Sequence, residues 1–567
     1  MQEESEVGSA SLVELVQSAK NSKDCTIFGP LSELDIGLTG LTSEIAQPRF
    51  PLTRHELNAW YAYDWANSVY SSTAIALFFP LLLVNLAENY AWEQEYKDQE
   101  QPKYCDALDS DEVRQDCLYC EAGEGTQIED GPVYKGNMPN VRLPGGLDPV
   151  SFASTMASIS VLSQAITFMS LGAYADYGSY RKRFLIACTV IGSIATSFSI
   201  VLYKPSLYWL GGILVIVSNT AYGASIVFYN SYLPLLVEST PEVYATKTNH
   251  SQEEWLRIRD ETENRYSAFG FMYGYASGVL LTVFCLILFF ITGMEQRLFY
   301  RVALLLTGIW WMVFALYTFA GLQVRPGLPA PKNASLLLEG WRNAYRTLKE
   351  IRHHKDLTIF LVNYFIYSDG YSTISSVGIY FAQRDICMDT MGLIVISVLA
   401  PLSAFVGNFF FLKLQTMLDV KSKNMLLLNL SILALLPLWA TFGWFTPPGG
   451  IGLKNEWEMY VFAVIYGLNL GSVQSYSRTV FADLIPAGQE GQFFAIYEIT
   501  DKGSSWMGPM VVAIIVQTTD SLRLTNLYLL ATMILPGIFL YLFMDHERGT
   551  LAARSQVSEA VDRELRT

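Results

Sequence analysis

Residues 60–87 of the chain read WYAYDWANSVYSSTAIALFFPLLLVNLA. The stretch is long enough to cross a bilayer as a helix, which takes about 20 mostly apolar residues. It also contains Asp64, and an ionisable group at membrane depth is costly unless it is paired or functional. Further apolar blocks follow along a chain of 567 residues, of which 51% are hydrophobic and only 16% are charged. This composition predicts an all-α membrane protein and excludes a disordered or an ordinary soluble chain.

The apolar blocks predict twelve transmembrane helices in two halves of six. They lie at about 60–87, 151–175, 184–203, 208–236, 267–292, 298–322, 357–381, 391–412, 424–443, 458–480, 493–517 and 522–543. The predicted organisation is an acidic flexible tail (1–53), a first half (54–322) with a hydrophilic loop (88–150), a connector (323–356), a second half (357–544) and a short tail (545–567). In the connector, apolar residues recur at helical spacing among Lys and Arg, which predicts an amphipathic helix on the membrane surface.

The distribution of Lys and Arg orients the helices. With the N-terminus in the cytosol, the inside loops hold 17 Lys and Arg and the short outside loops hold 6. This excess marks the cytoplasmic side, so we expect both termini in the cytosol. Loop 88–150 then lies outside, with 15 acidic against 5 basic residues. This loop and the net charge of −15 argue against nucleic-acid binding, which needs basic patches.

Four cysteines fall on the outside in this topology. They are Cys105, Cys117, Cys120 and Cys387. An even set in an oxidising compartment can form two disulfides. The Cys117-x-x-Cys120 spacing would also suit a metal ion, but its loop contains no His. We therefore expect disulfides here and no metal.

The first and seventh spans carry a related polar motif. Ser68 follows Asp64 by one helical turn, with Asn67 beside it, and Thr373 follows Asp369 at the same spacing. Matching helices of parallel repeats surround a shared cavity near the membrane midplane. We expect these side chains to bind substrate or to carry protons. The alternative is that each Asp bonds a neighbouring helix and only holds the bundle together.

Two further spans contain candidate binding groups. In the eleventh, Glu498 and Lys502 are one turn apart, so they could pair with each other, or Lys502 could bind a substrate carboxylate. In the tenth, Gln474 is a candidate for substrate binding. Arg478 lies nearer the predicted cytosolic end, and we expect its side chain to reach towards the membrane surface.

The junction of spans two and three contains Gly172-x-x-x-Asp176, followed by Arg181 and Lys182. Glycine allows helices to approach closely. An Asp beside a basic cluster can form a charge network at a gate. We therefore expect these four residues to control conformation rather than to contact substrate.

Catalytic groups are scarce. All five His lie in tails or predicted cytosolic loops, and no phosphate-binding P-loop is present. We expect neither an enzyme nor a cofactor, and we expect a monomer in contact with membrane lipid.

Beyond these motifs, the chain resembles a known family. The 6+6 layout with Gly172-x-x-x-Asp176 resembles the major facilitator superfamily. Three segments resemble its autophagy-related vacuolar amino-acid effluxers: WYAYDWANS at 60–68, GAYADYGSYRK at 172–182, and SRT at 477–479 with LIP at 484–486, FF at 493–494 and KGSSWMGP at 502–509. The resemblance covers nearly the whole transmembrane region. It implies alternating-access export of leucine, isoleucine and tyrosine from the vacuole lumen to the cytosol during autophagic recycling, and a multi-pass vacuolar membrane location.

Three functions are compatible with the residues. A zwitterion with an apolar side chain needs a cation, an acceptor and an apolar wall, which Lys502, Asp64 or Asp369 and the aromatic residues could supply. A carboxylate could couple export to proton flow. The alternatives are a transporter of the same fold for another solute, and a non-transporting nutrient receptor or scaffold that signals through the connector.

Overall fold

In a computed structural model, the chain is described over residues 51–95, 142–325 and 341–553, apart from short gaps within the last two ranges. Within these ranges the regular structure is helical, and no strand occurs. Nine helices are long and apolar enough to cross a membrane. The prediction of an all-α membrane protein is confirmed. The total of twelve spans and the cytosolic termini stay predictions.

The described residues of the first half contain nine α-helices. They are α1 (Arg54–Val69), α2 (Phe79–Glu95), α3 (Pro149–Leu171), α4 (Tyr180–Phe198), α5 (Tyr208–Asn230), α6 (Leu233–Glu238), α7 (Pro241–Asn249), α8 (Gln252–Thr292) and α9 (Gln296–Gly321). Thr53 caps α1, since its Oγ1 accepts a hydrogen bond from the N–H of Glu56 at 3.2 Å. Such an N-cap stabilises the first turn of the helix.

In the second half, seven α-helices lie in the part of the chain that the structure describes. They are α10 (Lys355–Arg384), α11 (Thr390–Leu418), α12 (Ser422–Phe442), α13 (Glu456–Leu484), α14 (Glu490–Ser504), α15 (Met507–Thr519) and α16 (Thr525–Phe543). Helix α10, helix α13 and the α14–α15 pair coincide with the seventh, tenth and eleventh predicted spans, but they are not among the nine helices that are long and apolar enough to cross a membrane. These are the helices that carry Asp369, Arg478 and Lys502.

The chain leaves the first half after α9 and enters the second at α10. We name the end of the bundle where this happens the connector face, and the opposite end the distal face. At the connector face, Arg325 donates to both carboxylate oxygens of the buried Glu56, at 2.8 and 3.0 Å. Trp341, in the described part of the connector, donates to Ser170 of α3 at 3.2 Å.

The first transmembrane element is not a regular α-helix along its length. Residues Tyr70–Phe78, between α1 and α2, form a π-helix. π-helical segments are rare and are frequent at functional sites. This one places Ser71 and Ser72 at the wall of the central cavity described below.

Glycines bring α11 and α13 into close contact. A Cβ on Gly471 would lie 2.7 Å from the carbonyl oxygen of Ala404, and one on Gly407 would overlap the carbonyl oxygen of Leu468. Gly467 faces α11 one turn from Gly471, so α13 presents a small-xxx-small surface to its neighbour.

The predicted disulfide cysteines cannot be placed. Cys105, Cys117, Cys120 and Cys387 all lie outside the described residues. Cys188 and Cys285 are free and buried in the first half. The disulfides stay a prediction.

The α11–α13 contact gives a test of the packing. We expect Gly407→Ala to lower the thermal unfolding midpoint of the purified protein, because the new methyl group must displace the backbone of α13 at a cost of about 1–3 kcal/mol. The matched control is Gly537→Ala in α16, where a Cβ meets no atom within 4 Å. We expect this control to unfold at or slightly above the wild-type temperature. Equal midpoints for the two variants would contradict the close contact.

Candidate substrate cavity between the two halves

A cavity of about 890 Å³ lies between the two halves. Its wall combines ionisable and amide groups with many aromatic rings. The polar members are Asp64, Asn67, Ser68, Asn230, Gln474, Arg478, Glu498, Asp501 and Lys502, and the aromatic ones are Tyr222, Tyr229, Phe271, Tyr275, Tyr364, Tyr371 and Tyr497. Six of the eight predicted binding residues therefore meet at one cavity.

Asp64 is held by the neighbouring helix α5. Tyr229 donates its hydroxyl to the Asp64 carboxylate at 2.6 Å. The carboxylate is 6% exposed, and the guanidinium of Arg478 lies 3.8 Å away. Gly270 of α8 makes room for the group, since a Cβ there would overlap it. Asp64 thus lies on the side of the cavity that the first half forms, and its carboxylate contacts the guanidinium of Arg478 from the second half.

Arg478 belongs to the second half but is hydrogen-bonded by the first. It donates to the hydroxyl and the carbonyl oxygen of Ser267 at 3.0 and 2.8 Å, and to Asn230 at 3.2 Å. The ring of Phe271 lies 4.3 Å from the guanidinium carbon. The side chain is only 3% exposed. The expectation that it reaches for the membrane surface is wrong, because these acceptor groups and the ring solvate the guanidinium between the two halves.

Within α14, Lys502 pairs with Asp501 rather than with Glu498, and its binding of a substrate carboxylate stays a prediction. Lys502 contacts the adjacent Asp501 at 2.8 Å. Tyr364 and Tyr371 of α10 also donate to Asp501, at 3.1 and 3.2 Å. The Lys502 side chain is 37% exposed, so its ammonium group remains accessible from the cavity.

Glu498 contacts the first half. Its carboxylate accepts a hydrogen bond from the amide of Asn230 at 3.1 Å. Asn230 therefore bridges Arg478 and Glu498 with its two amide atoms. Because one flexible amide links both charges, a change at either is transmitted to the other.

The remaining polar candidates complete the wall. Gln474 accepts a hydrogen bond from Tyr275 at 2.5 Å, across the boundary between the halves. Ser68 donates to Asn67 at 3.4 Å. The amide nitrogen of Asn67 is buried and has no hydrogen-bond partner in the structure. A buried donor of this kind is costly, so Asn67 is suited to bind an acceptor that enters the cavity.

Asp369 and Thr373 lie away from this cavity. The Asp369 carboxylate accepts from the N–H of Gly508 and from the hydroxyl of Tyr528, both at 3.0 Å. Thr373 packs against Gly508. The structure thus places both residues within the second half, at a contact of α10 with α15 and α16, and their role in transport stays a prediction.

The four predicted gate residues meet at the connector face. Asp176 accepts from the N–H groups of Gly491 and Gln492 at 2.7 and 3.0 Å, at the start of α14. Arg181 lies 3.2 Å from Asp176 and 3.3 Å from Glu490. The first N–H groups of a helix have no partner within the helix, and a carboxylate that accepts from them is stabilised by the helix dipole. This cluster joins the two halves.

The other two gate candidates support the junction. Gly172 lies against Ala495 of α14, where a Cβ would overlap the alanine side chain. Lys182 donates to the carbonyl oxygen of Leu322 at 2.6 Å, at the end of α9. Their effect on conformational change stays a prediction.

Several cavity residues were not predicted from the sequence. Asn230 and Asp501 contact charged groups at mid-depth, and Tyr364 and Tyr371 hold Asp501 in place. The aromatic-rich start of the seventh span was the available signal for the two tyrosines. Asn230 follows Tyr229 at the end of α5, and no sequence spacing connects it to α13 or α14.

Solved structures of membrane transporters share this fold. A proton:xylose symporter of the major facilitator superfamily aligns with a TM-score of 0.53 and 10% identity, covering 86% of this chain and 96% of its own. A bacterial homologue of the iron transporter ferroportin, in an outward-facing state, aligns with a TM-score of 0.51 and 10% identity, covering 86% and 99%. At this identity the likeness establishes the fold of a membrane transporter.

Sequence comparison identifies the family. The family described as "Vacuole effluxer Atg22 like" matches residues 52–554. Autophagy-related protein 22-1 of Aspergillus niger is 32% identical, over 90% of this chain and 91% of its own. Autophagy-related protein 22 of Pyricularia oryzae is also 32% identical, over 88% and 77%. The chain belongs to the Atg22-like vacuole effluxer family, as the sequence motifs predicted.

The Asp64–Arg478 contact can be tested by a double-mutant cycle. We expect Arg478→Gln to lower the free energy of unfolding by about 3–5 kcal/mol, because it leaves a buried carboxylate without its cation. Adding Asp64→Asn should recover part of this loss, since no unpaired charge then remains. The control is Arg257→Gln, which removes an exposed contact to Glu261 and should cost less than about 1 kcal/mol. Additive effects of the Asp64 and Arg478 variants would contradict the contact.

Proposed function

We propose that the chain is a secondary active transporter that exports neutral amino acids such as leucine, isoleucine and tyrosine from the vacuole lumen to the cytosol. Transport proceeds by alternating access and is coupled to protons. The observation that carries the proposal is the central cavity, which offers an accessible cation, buried carboxylates and aromatic walls within one space. The family supports a vacuolar membrane effluxer, and the substrates and the coupling are the proposed part.

The cavity chemistry fits a zwitterion. Lys502 is placed to bind the carboxylate of an amino acid, because its ammonium group is accessible. Glu498 and Asp64 supply acceptors for the amino group, and the unpartnered amide of Asn67 supplies a donor.

The orientation follows from charge. The excess of Lys and Arg in the loops at the connector face favours the cytosol for this face. Hydrogen bonds and ion pairs join the halves there, around Asp176, Arg181 and Glu490. This arrangement favours a state that is closed to the cytosol and receives substrate from the lumen. Breaking the Asp176 cluster would then accompany release.

Proton coupling is proposed to use Glu498. This residue faces the cavity near Lys502 and is bonded to Asn230, which also holds Arg478. A proton on Glu498 would remove one of the charges that bind the amino group and would alter the contacts between the halves. Asp369 is bonded within the second half, and we propose a positioning role for it rather than substrate contact.

Substrate binding by Lys502 can be measured directly. In proteoliposomes that are acidic inside, we expect wild-type protein to release labelled leucine and tyrosine, and Lys502→Gln to reduce the rate at least about tenfold through loss of one charge-assisted bond. The matched control is Lys204→Gln, a side chain exposed near the distal face, which should leave the rate unchanged. Efflux of these solutes that is insensitive to Lys502→Gln would contradict the proposed site. No efflux from folded wild-type protein would contradict the proposed substrates.

If Glu498 carries the coupled proton, its substitution should separate leucine exchange from the stimulation of efflux by an acidic lumen. Glu498→Gln keeps a group of the same shape that can bond Asn230 but cannot ionise. We expect this variant to retain leucine exchange across the membrane at equal pH on both sides, and to lose the acceleration that an acidic lumen gives the wild type. Acceleration that survives the substitution would exclude Glu498 as the proton carrier.

A further inference from the structure

A second cavity, of about 1010 Å³, opens at the connector face between the two halves. Its walls come from the start of α8, the α11–α12 turn, the end of α13 and the segment after α16. Six carboxylates line it against two basic side chains: Glu253, Asp260, Glu261, Asp419, Asp483 and Glu547 against Arg257 and Lys421. The central transport cavity shares none of these residues.

Three potential metal ligands converge at one end of this cavity. They are Asp260 of α8, Asp483 of α13 and His546, which begins a short helix at 546–553. One ligand atom from each lies within 4.8 Å of the other two. Asp483 is 2% exposed and the His546 side chain 10%. The cluster is therefore an almost enclosed set of one imidazole and two carboxylates.

The imidazole nitrogen in this cluster has no hydrogen-bond partner. Nε2 of His546 lies 3.2 Å from an oxygen of Asp483, but without hydrogen-bond geometry. When Nε2 carries no proton, its lone pair faces this carboxylate oxygen, an arrangement that a cation between the two atoms would stabilise. The nine-tenths buried ring thus aims an open coordinating atom at the carboxylates.

The charges around the cluster leave a negative excess. Arg259 contacts Glu263 at 3.1 Å and also contacts the other oxygen of Asp483. In the cavity as a whole, six carboxylates outnumber the two basic side chains, and a divalent cation would reduce this excess of negative charge.

The ligands are held in place by contacts outside the cluster. Asp260 accepts a hydrogen bond from the Ser422 hydroxyl at 2.5 Å, at the start of α12. The segment that carries His546 is fixed by Asp356, which accepts from Arg548 at 2.7 Å and from the N–H of Asp545 at 2.9 Å. Burial opposes ionisation of Asp356, but these hydrogen bonds hold its pKa below the usual value. Such supporting contacts orient metal ligands.

We propose that Asp260, Asp483 and His546 form a binding site for a divalent transition metal such as Zn²⁺. Imidazole favours Zn²⁺ over Mg²⁺ and Ca²⁺, which prefer oxygen ligands. The three ligand atoms now lie within 4.8 Å of one another. They would move closer together to form bonds of about 2.0–2.2 Å to the ion, and water would supply a fourth ligand. The sequence predicted no metal because these residues are far apart along the chain and because His546 lies in a predicted tail.

The site has a conformational consequence. Asp260 belongs to the first half, whereas Asp483 and His546 belong to the second. A bound ion would therefore link the halves at the connector face and stabilise the state in which this face is closed. Binding of an ion to one state shifts the equilibrium towards it.

Zn²⁺ binding to the purified full-length chain tests the site. By equilibrium dialysis with ⁶⁵Zn²⁺ in excess Mg²⁺, we expect one ion per chain, and binding at least about tenfold weaker in His546→Ala and Asp483→Asn. The control is His55→Ala, an exposed His at the same face, which should bind as the wild type does. Unchanged Zn²⁺ binding in His546→Ala would overturn the proposal.

Two further variants separate ligation from folding and from the Cys117-x-x-Cys120 pair. His546→Cys should bind Co²⁺ and show a charge-transfer band from the new thiolate to the metal. The wild type should lack this band, and the double variant Cys188→Ser/His546→Cys should keep it, which assigns the band to residue 546. Replacement of both loop cysteines by Ser should leave the Zn²⁺ site intact. Loss of binding in the loop variant, or no band in folded His546→Cys, would overturn the site.

The link between the halves is tested by transport and rests on the proposed function. We expect Zn²⁺ added on the connector side of proteoliposomes to slow efflux of the wild type, and to leave His546→Ala unaffected. Bound Zn²⁺ with an unchanged rate would overturn the link, whereas the dialysis measurement judges the site itself even if the transported solute is not an amino acid.

Discussion

A guanidinium group at bilayer depth must be hydrogen-bonded by protein, and Arg478 meets this requirement through the opposite half of the molecule. Its donors bond Ser267 and Asn230, and Phe271 covers its face. The second half thus contributes the cation and the first half solvates it. The geometry of the central cavity depends on this contact, because it fixes α13 against α5 and α8 beside the Asp64 carboxylate.

The cost of burying these charges is visible in the helices that carry them. Helices α10 and α13 hold Asp369 and Arg478, and neither is among the nine described helices that are long and apolar enough to cross a membrane. They can cross the membrane only where neighbouring helices shield their polar faces. The same polar faces supply the wall of the cavity. The polar groups that form a site for a charged solute are therefore the same groups that lower the hydropathy of these helices.

The sequence was informative where a signal is local. Hydrophobic blocks predicted helices, and ionisable residues inside apolar blocks predicted Asp64, Glu498 and Lys502 at the cavity wall. Contacts between distant helices were not accessible in this way. Asp369 repeats the motif of Asp64 but lies against α15 and α16, and Arg478 bonds groups more than 200 positions earlier. The π-helix after Val69 likewise depends on packing that no spacing encodes.

A structure determined by electron cryomicroscopy with saturating leucine is the most direct test of the central cavity as the substrate site. Leucine should lie between the halves, with its carboxylate at Lys502, its amino group towards Glu498 and Asp64, and its side chain against the tyrosines. Leucine bound outside this cavity, or an empty cavity in a preparation that transports leucine, would contradict the assignment.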